Sequence, residues 1–223
     1  MTARLFAEAL GTFFLFATVM GAGIMADNLA GGNVAVALIG TTLPIGAILY
    51  VIITMFAPVS GAHFNPAVTL VFRLRGEIES SAALAYVAVQ IASGIFAAFV
   101  VHLMFDLPIV QISTVARTGL GQWAGEGVAT FGLILTILAT LRARPEAIPA
   151  SVALYIFAAC WFTSSTSFAN PAITIARSFT NTFTGISPVD IPGFVIAQIA
   201  GALAAMGAAR VLFADAQESG PRP

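Results

Sequence analysis

Two short segments, Asn65-Pro66-Ala67 and Asn170-Pro171-Ala172, each interrupt an apolar stretch that then resumes as Val68-Thr69-Leu70 or Ile173-Thr174-Ile175. Asn is a favoured helix N-cap and Pro a favoured first helical residue, so each tripeptide reads as a helix start. The surrounding sequence is lipid-soluble. Of 223 residues, 59% are hydrophobic and 9% charged, with a mean hydropathy of +0.97, where a soluble domain carries about 25% charged residues. Backbone that breaks off at membrane depth is tolerated only when buried in protein or lining a wet cavity. One such helix start in each half of the chain predicts two half-helices meeting where a polar solute must pass.

A spanning helix needs roughly 20 apolar residues, and the sparse charges mark the breaks. Span one lies between Arg4 and Asp27, with Glu8 its one charge. The N-terminus superficially resembles a signal peptide, but the apolar run continues to about Met25 without a clear cleavage site, so it reads as a span. Span two fits residues 34–56, and Pro58 and Gly61 lead into the first Asn-Pro-Ala. The helix from Asn65 reaches only Arg73 and Arg75, too short to cross alone. Spans three, four, five and six fit about 80–104, 123–141, 149–163 and 191–213. The second half-helix is expected to end near Thr184-Gly185, and residues 215–223 form a polar tail expected to be disordered.

Arg4, Arg73, Arg75, Arg142, Arg144, Arg210 and Arg222 fall on one side of this six-span arrangement, and Arg117 alone falls in a loop on the other. The bias of basic residues towards the cytoplasm predicts that both termini lie there, in a bacterial inner membrane. The chain reads as one domain, 1–223, built from two repeats of about 4–105 and 122–214. Ala7-Glu8-Ala9-Leu10-Gly11-Thr12-Phe13 matches Gly125-Glu126-Gly127-Val128-Ala129-Thr130-Phe131, and the segment around Gln90 matches that around Gln198. Each half holds three spans, an odd number, so the repeat is inverted about an axis in the membrane plane. Both half-helix N-termini, each with about half a positive charge, then point at the bilayer middle. A water or alcohol there turns its oxygen towards Asn65 and Asn170, which interrupts a proton wire while the positive field repels cations.

Glu8 and Glu126 occupy equivalent intramembrane positions. Each is either a titrating group that couples transport to protons or a buried acceptor for loop N–H groups. His63 suits a pore-facing role or a satisfied buried site, and His102 has no partner motif. Gly11, Gly21, Gly94, Ala98, Gly201 and Ala205 suit close helix contacts. Cys160 is the sole cysteine, which excludes a disulfide within the chain. No metal-ligand spacing or nucleophile–base pair occurs, so neither cofactor nor enzymatic activity is expected. The net charge of −1 gives no reason to expect a nucleic-acid partner.

Glu8 with Gly11-Thr12, the segment from Ser60 to Leu70, Glu126, and Asn170-Pro171-Ala172 together resemble the aquaporin, or major intrinsic protein, family over nearly the whole chain. The resemblance implies an all-α hourglass of six transmembrane helices and two re-entrant half-helices, assembled as a homotetramer in the lipid bilayer. It implies a passive pore in each subunit for water and small neutral solutes, and it favours Glu8, Glu126, Gln90 and Gln198 as scaffold. Water-selective and glycerol-conducting members carry Arg directly after the second Asn-Pro-Ala, where this chain has Ile173. By the same resemblance the outer filter comprises Ile45, Ala158, Ser167 and Ile173, and is expected to be wide and uncharged. That filter would admit glycerol-like polyols, urea or neutral metalloid acids such as arsenous acid. Arg177 lies about 6 Å beyond Ile173 and about 40° around the helix, placed either to reach the outer mouth or to pair outside the channel. Against this channel stand a strictly water-selective pore, a proton-coupled secondary transporter using Glu8 and Glu126, and a purely structural membrane protein.

Overall fold

In the computed structural model, residues 1–213 are described, and the polar tail expected at 215–223 lies outside them. Eight α-helices form: α1 Thr2–Leu29, α2 Val34–Ser60, α3 Pro66–Leu74, α4 Ser80–Met104, α5 Leu120–Ala143, α6 Ile148–Phe162, α7 Pro171–Ala176 and α8 Ile191–Leu212. Six of them, α1, α2, α4, α5, α6 taken with the 3₁₀ turn Pro145–Ala147, and α8 taken with the 3₁₀ turn Pro188–Asp190, are long and apolar enough to cross a membrane. Their outward faces carry large apolar side chains such as Leu84, Leu120, Leu154 and Ile196, each at least two-thirds exposed. That surface is stable against lipid and not against water.

The two halves repeat one packing pattern. Helix α1 packs on α2 and α4, α5 packs on α6 and α8, and α2 meets α6 between the halves. The short helices α3 and α7 touch each other, and both pack against α4 and α8. Close approach is achieved with small residues. A β-carbon at Gly11 would overlap the Phe64 ring, and one at Gly201 would overlap the Gly127 carbonyl. Gly21 meets its neighbours only at ordinary contact distance, 3.6 Å, so it is not required to be Gly for packing.

Two element ends differ from expectation. Helix α2 continues through Pro58 to Ser60, and Gly61 (φ 88°) closes it, its N–H donating to Ala57 O at 3.0 Å. A left-handed C-terminal residue of this kind favours Gly because it carries no side chain to clash. The second half-helix is shorter than expected. Helix α7 stops at Ala176, a 3₁₀ turn covers Arg177–Phe179, and the chain to Gly185 is irregular. Ser and Thr side chains compete for the backbone there: Ser178 Oγ donates to Ile175 O, and Thr180 and Thr182 bond each other.

Candidate functional site

The half-helices begin as their caps dictate. Asn65 Oδ1 accepts from Ala67 N at 2.9 Å, and Asn170 Oδ1 accepts from Ala172 N at 3.0 Å, with Pro at the first helical position in both. Each Asn also reaches into the opposite loop. Asn65 Nδ2 donates to Ala169 O at 2.7 Å, and Asn170 Nδ2 donates to Phe64 O at 2.9 Å. One amide proton of each is thereby held, and the second is left for a passing oxygen.

The loops that deliver the two Asn residues share one backbone path. Gly61, Ala62 and Phe64 have φ of 88°, 52° and 48°, and the residues at the same offsets, Thr166, Ser167 and Ala169, have 60°, 51° and 47°. Left-handed geometry at non-Gly residues costs on the order of 1 kcal/mol each, so something must hold it. The intramembrane carboxylates do. Glu8 Oε1 accepts from Ser60 Oγ (2.7 Å) and His63 N (2.9 Å), and Glu8 Oε2 accepts from Phe64 N and Gln90 Nε2, both at 2.8 Å. Glu126 accepts from Phe168 N (2.8 Å), Ala169 N (2.9 Å) and Gln198 Nε2. Both carboxylates are fully buried, and neither lines the cavity described next.

A cavity of about 610 Å³ runs from Arg4, Glu77 and Glu146 at the arginine-rich end of the bundle, past Asn65 and Asn170, to Ile45, Cys160, Ile173 and Arg177. His63 lines it while its Nδ1 sits 3.1 Å from Thr69 Oγ1, so the pore-facing and the satisfied readings of this residue coexist. A second cavity of about 40 Å³ lies on the Arg117 side and shares Val19, Ile45, Cys160, Thr166 and Arg177 with the first. Those five side chains form the neck between the two.

Of the residues expected in the filter, Ile45, Ser167 and Ile173 line the large cavity and Ala158 does not. Ala158 is exposed on α6. The pore-facing stripe of that helix is Val152, Ile156 and Cys160, at steps of four residues, so Cys160 occupies the place expected for Ala158. The Ser167 hydroxyl is buried without a partner, and Thr166, one residue earlier, reaches the neck. Nor is the neck uncharged. Arg177 is 6% exposed, its Cζ lies 3.4 Å from the Phe168 ring centroid, and its Nε donates to Thr184 O. Its two terminal nitrogens have no hydrogen-bond partner among the described residues. Arg117 stacks on the same ring at 5.2 Å and donates to Gly185 O (2.7 Å) and Phe183 O (3.2 Å). His102, unpartnered in sequence, ties the α4–α5 loop down: its ring nitrogens meet Ile109 O at 2.8 Å and Thr180 Oγ1 at 2.9 Å.

Six apolar helices around a largely apolar cavity that Asn65 and Asn170 reach, with the two capped half-helices touching each other, define a multi-pass membrane channel. The sequence model of the family described as "Major intrinsic protein" matches residues 1–168, and the chain belongs to that family. It is similar to "Aquaglyceroporin AqpS" of Rhizobium meliloti (strain 1021), 54% identical over 217 residues that cover 97% of this chain and 93% of that protein. It is 34% identical over 136 residues to "Probable aquaporin NIP-type" of Nicotiana alata, across 60% of this chain and 49% of that one. The fold matches the X-ray structure of the aquaglyceroporin from Plasmodium falciparum with a TM-score of 0.74, 18% identity, and coverage of 98% and 99% of the two chains. The chain is a passive membrane channel for water and small neutral solutes.

Proposed function

We propose that this channel passes glycerol-like polyols, urea and neutral metalloid acids such as arsenous acid as well as water, through a neck formed by Val19, Ile45, Cys160, Thr166 and Arg177, next to Ile173 of the large cavity. The observation that carries the reading is the composition of that neck: a valine, an isoleucine and a cysteine together with one hydroxyl and one guanidinium. An apolar wall accommodates a carbon or metalloid face, while Thr166 and Arg177 replace the hydration of its hydroxyls. The similarity to a protein named an aquaglyceroporin supports the same class of solute.

Proton-coupled transport is disfavoured because Glu8 and Glu126 spend their oxygens on loop N–H groups and stand off the cavity. The arginines at the ends of α1, α3, α5 and α8 support a bacterial inner-membrane location with cytoplasmic termini, which puts Arg117 outside. The exposed apolar faces of the bundle and the family resemblance support a homotetramer in the bilayer. Stopped-flow swelling of proteoliposomes across a panel of water, glycerol, urea and arsenous acid tests the reading. The expected result is non-saturating flux of all four, indifferent to a pH gradient. Flux of water alone, or uptake that saturates and follows the pH gradient, overturns it.

A further inference from the structure

The outer end of the pore holds two arginines, and neither forms a salt bridge with a carboxylate among the described residues. Arg117 and Arg177 both stack on the Phe168 ring and both line the small cavity beyond the neck. Neither guanidinium is in a salt bridge. The one ion pair among the described residues is Arg75–Glu77, at the opposite end. Asp190 bonds the backbone N–H of Arg117 at 2.8 Å and does not reach its guanidinium within salt-bridge distance. Glu126 is engaged by Phe168 N, Ala169 N and Gln198. The Nε atoms of both arginines donate only to backbone carbonyls, which are neutral. Burying a cation without a counter-charge is costly. Here Arg177 is 6% exposed and lines the cavity, and only its Nε has a hydrogen-bond partner among the described residues.

We propose that this pocket is an external binding site for a small planar monovalent oxyanion of the carboxylate or nitrate type, whose occupancy obstructs the neck. A guanidinium fork matches two oxygens of such an ion. A water needs about 10–15 Å³ of such space, so the cavity of about 40 Å³ holds a group of a few non-hydrogen atoms. The hydroxyls of Thr41 and Thr42 already donate to carbonyls of their own helix, at 2.8 and 2.9 Å, which leaves the arginines and the unpartnered Thr184 hydroxyl as donors in the pocket. Anions are held in front of the positive half-helix ends and do not cross; neutral solutes compete with them for the same opening.

The inference rests on the channel reading above, and the test separates the two. Glycerol flux into proteoliposomes is measured in sodium nitrate against sodium gluconate at equal ionic strength, each protein being compared with itself. Nitrate is the probe because it has no neutral acid at neutral pH. Nitrate is expected to slow wild-type flux saturably. In Arg117→Gln the half-effective concentration should rise about tenfold, the loss of one charge-assisted contact, whereas Arg117→Lys stays close to wild type. Equal sensitivity in Arg117→Gln, or none in the wild type, overturns the site. Nitrate protection against thermal unfolding in detergent is read in parallel. If glycerol does not pass but nitrate protects the wild type and not Arg117→Gln, the solute reading fails and the anion site stands.

Discussion

Asn65 and Asn170 are cross-wired: the amide of each donates to the carbonyl just before the other, at 2.7 Å to Ala169 O and 2.9 Å to Phe64 O. Each side chain is at once the cap of its own half-helix and the anchor of the opposite loop. Replacing Asn170 with Ala should remove a cap, at about 1 kcal/mol, and orphan the buried Phe64 carbonyl, at about 1–3 kcal/mol. A fall in the thermal midpoint of purified protein, together with reduced water flux, checks it; full stability would show the cross-contact to be idle.

Glu8→Gln places an NH₂ where four donors converge on carboxylate oxygens. At least one backbone N–H, that of His63 or of Phe64, then faces another donor, and the expected cost is about 1–3 kcal/mol. The variant should fold poorly at every pH tested, as read by detergent melting and membrane yield. A well-folded Glu8→Gln channel with altered proton dependence would instead revive the titrating role.

Cys160 and Ala158 separate the pore face of α6 from its outer face. Cys160→Phe should close the neck and abolish glycerol flux, and Ala158→Phe should retain most of it, because overpacking is felt where atoms are already in contact. Proteoliposome swelling decides between the two residues.

Ile173→Arg sets a second guanidinium beside Arg177 at the neck. Glycerol and arsenous acid permeation should fall about tenfold, and water about twofold, as the opening narrows and gains charge. Equal loss of every solute, or no loss, would remove Ile173 from the selective region.

How far the sequence speaks depends on whether a residue leaves a pattern. Asn65, Asn170, Glu8 and Glu126 are legible because the inverted repeat writes each of them twice, and polar groups at membrane depth have few reasons to exist. The sequence does not separate Ala158 from the cavity-lining Cys160, because residues 148–162 are apolar on nearly every side and no polar stripe marks the face turned to the pore. Thr166 lies hidden in a Ser/Thr-rich bend whose left-handed turns set the direction of every side chain. Arg177 shares a helical face with Ile173 by simple geometry. Its arrival at the neck depends on α7 ending at Ala176 and on Thr184 and Phe168 folding back over it, long-range contacts that spacing does not encode.

The exchange between Asn65 and Asn170 also constrains how the protein can be made. During synthesis the first half emerges and inserts with α1, α2 and α4 complete, and Glu8 and Gln90 can already brace its loop. Its Asn65 amide and Phe64 carbonyl, however, have no partner until residues 169 and 170 enter the bilayer about a hundred residues later. An isolated first half must leave these groups unpaired at mid-membrane or withdraw its half-helix to the surface. Joining of the two half-helices and completion of insertion are therefore one event: the contacts that tie Asn65 and Asn170 to the opposite loops form only once the second half has arrived.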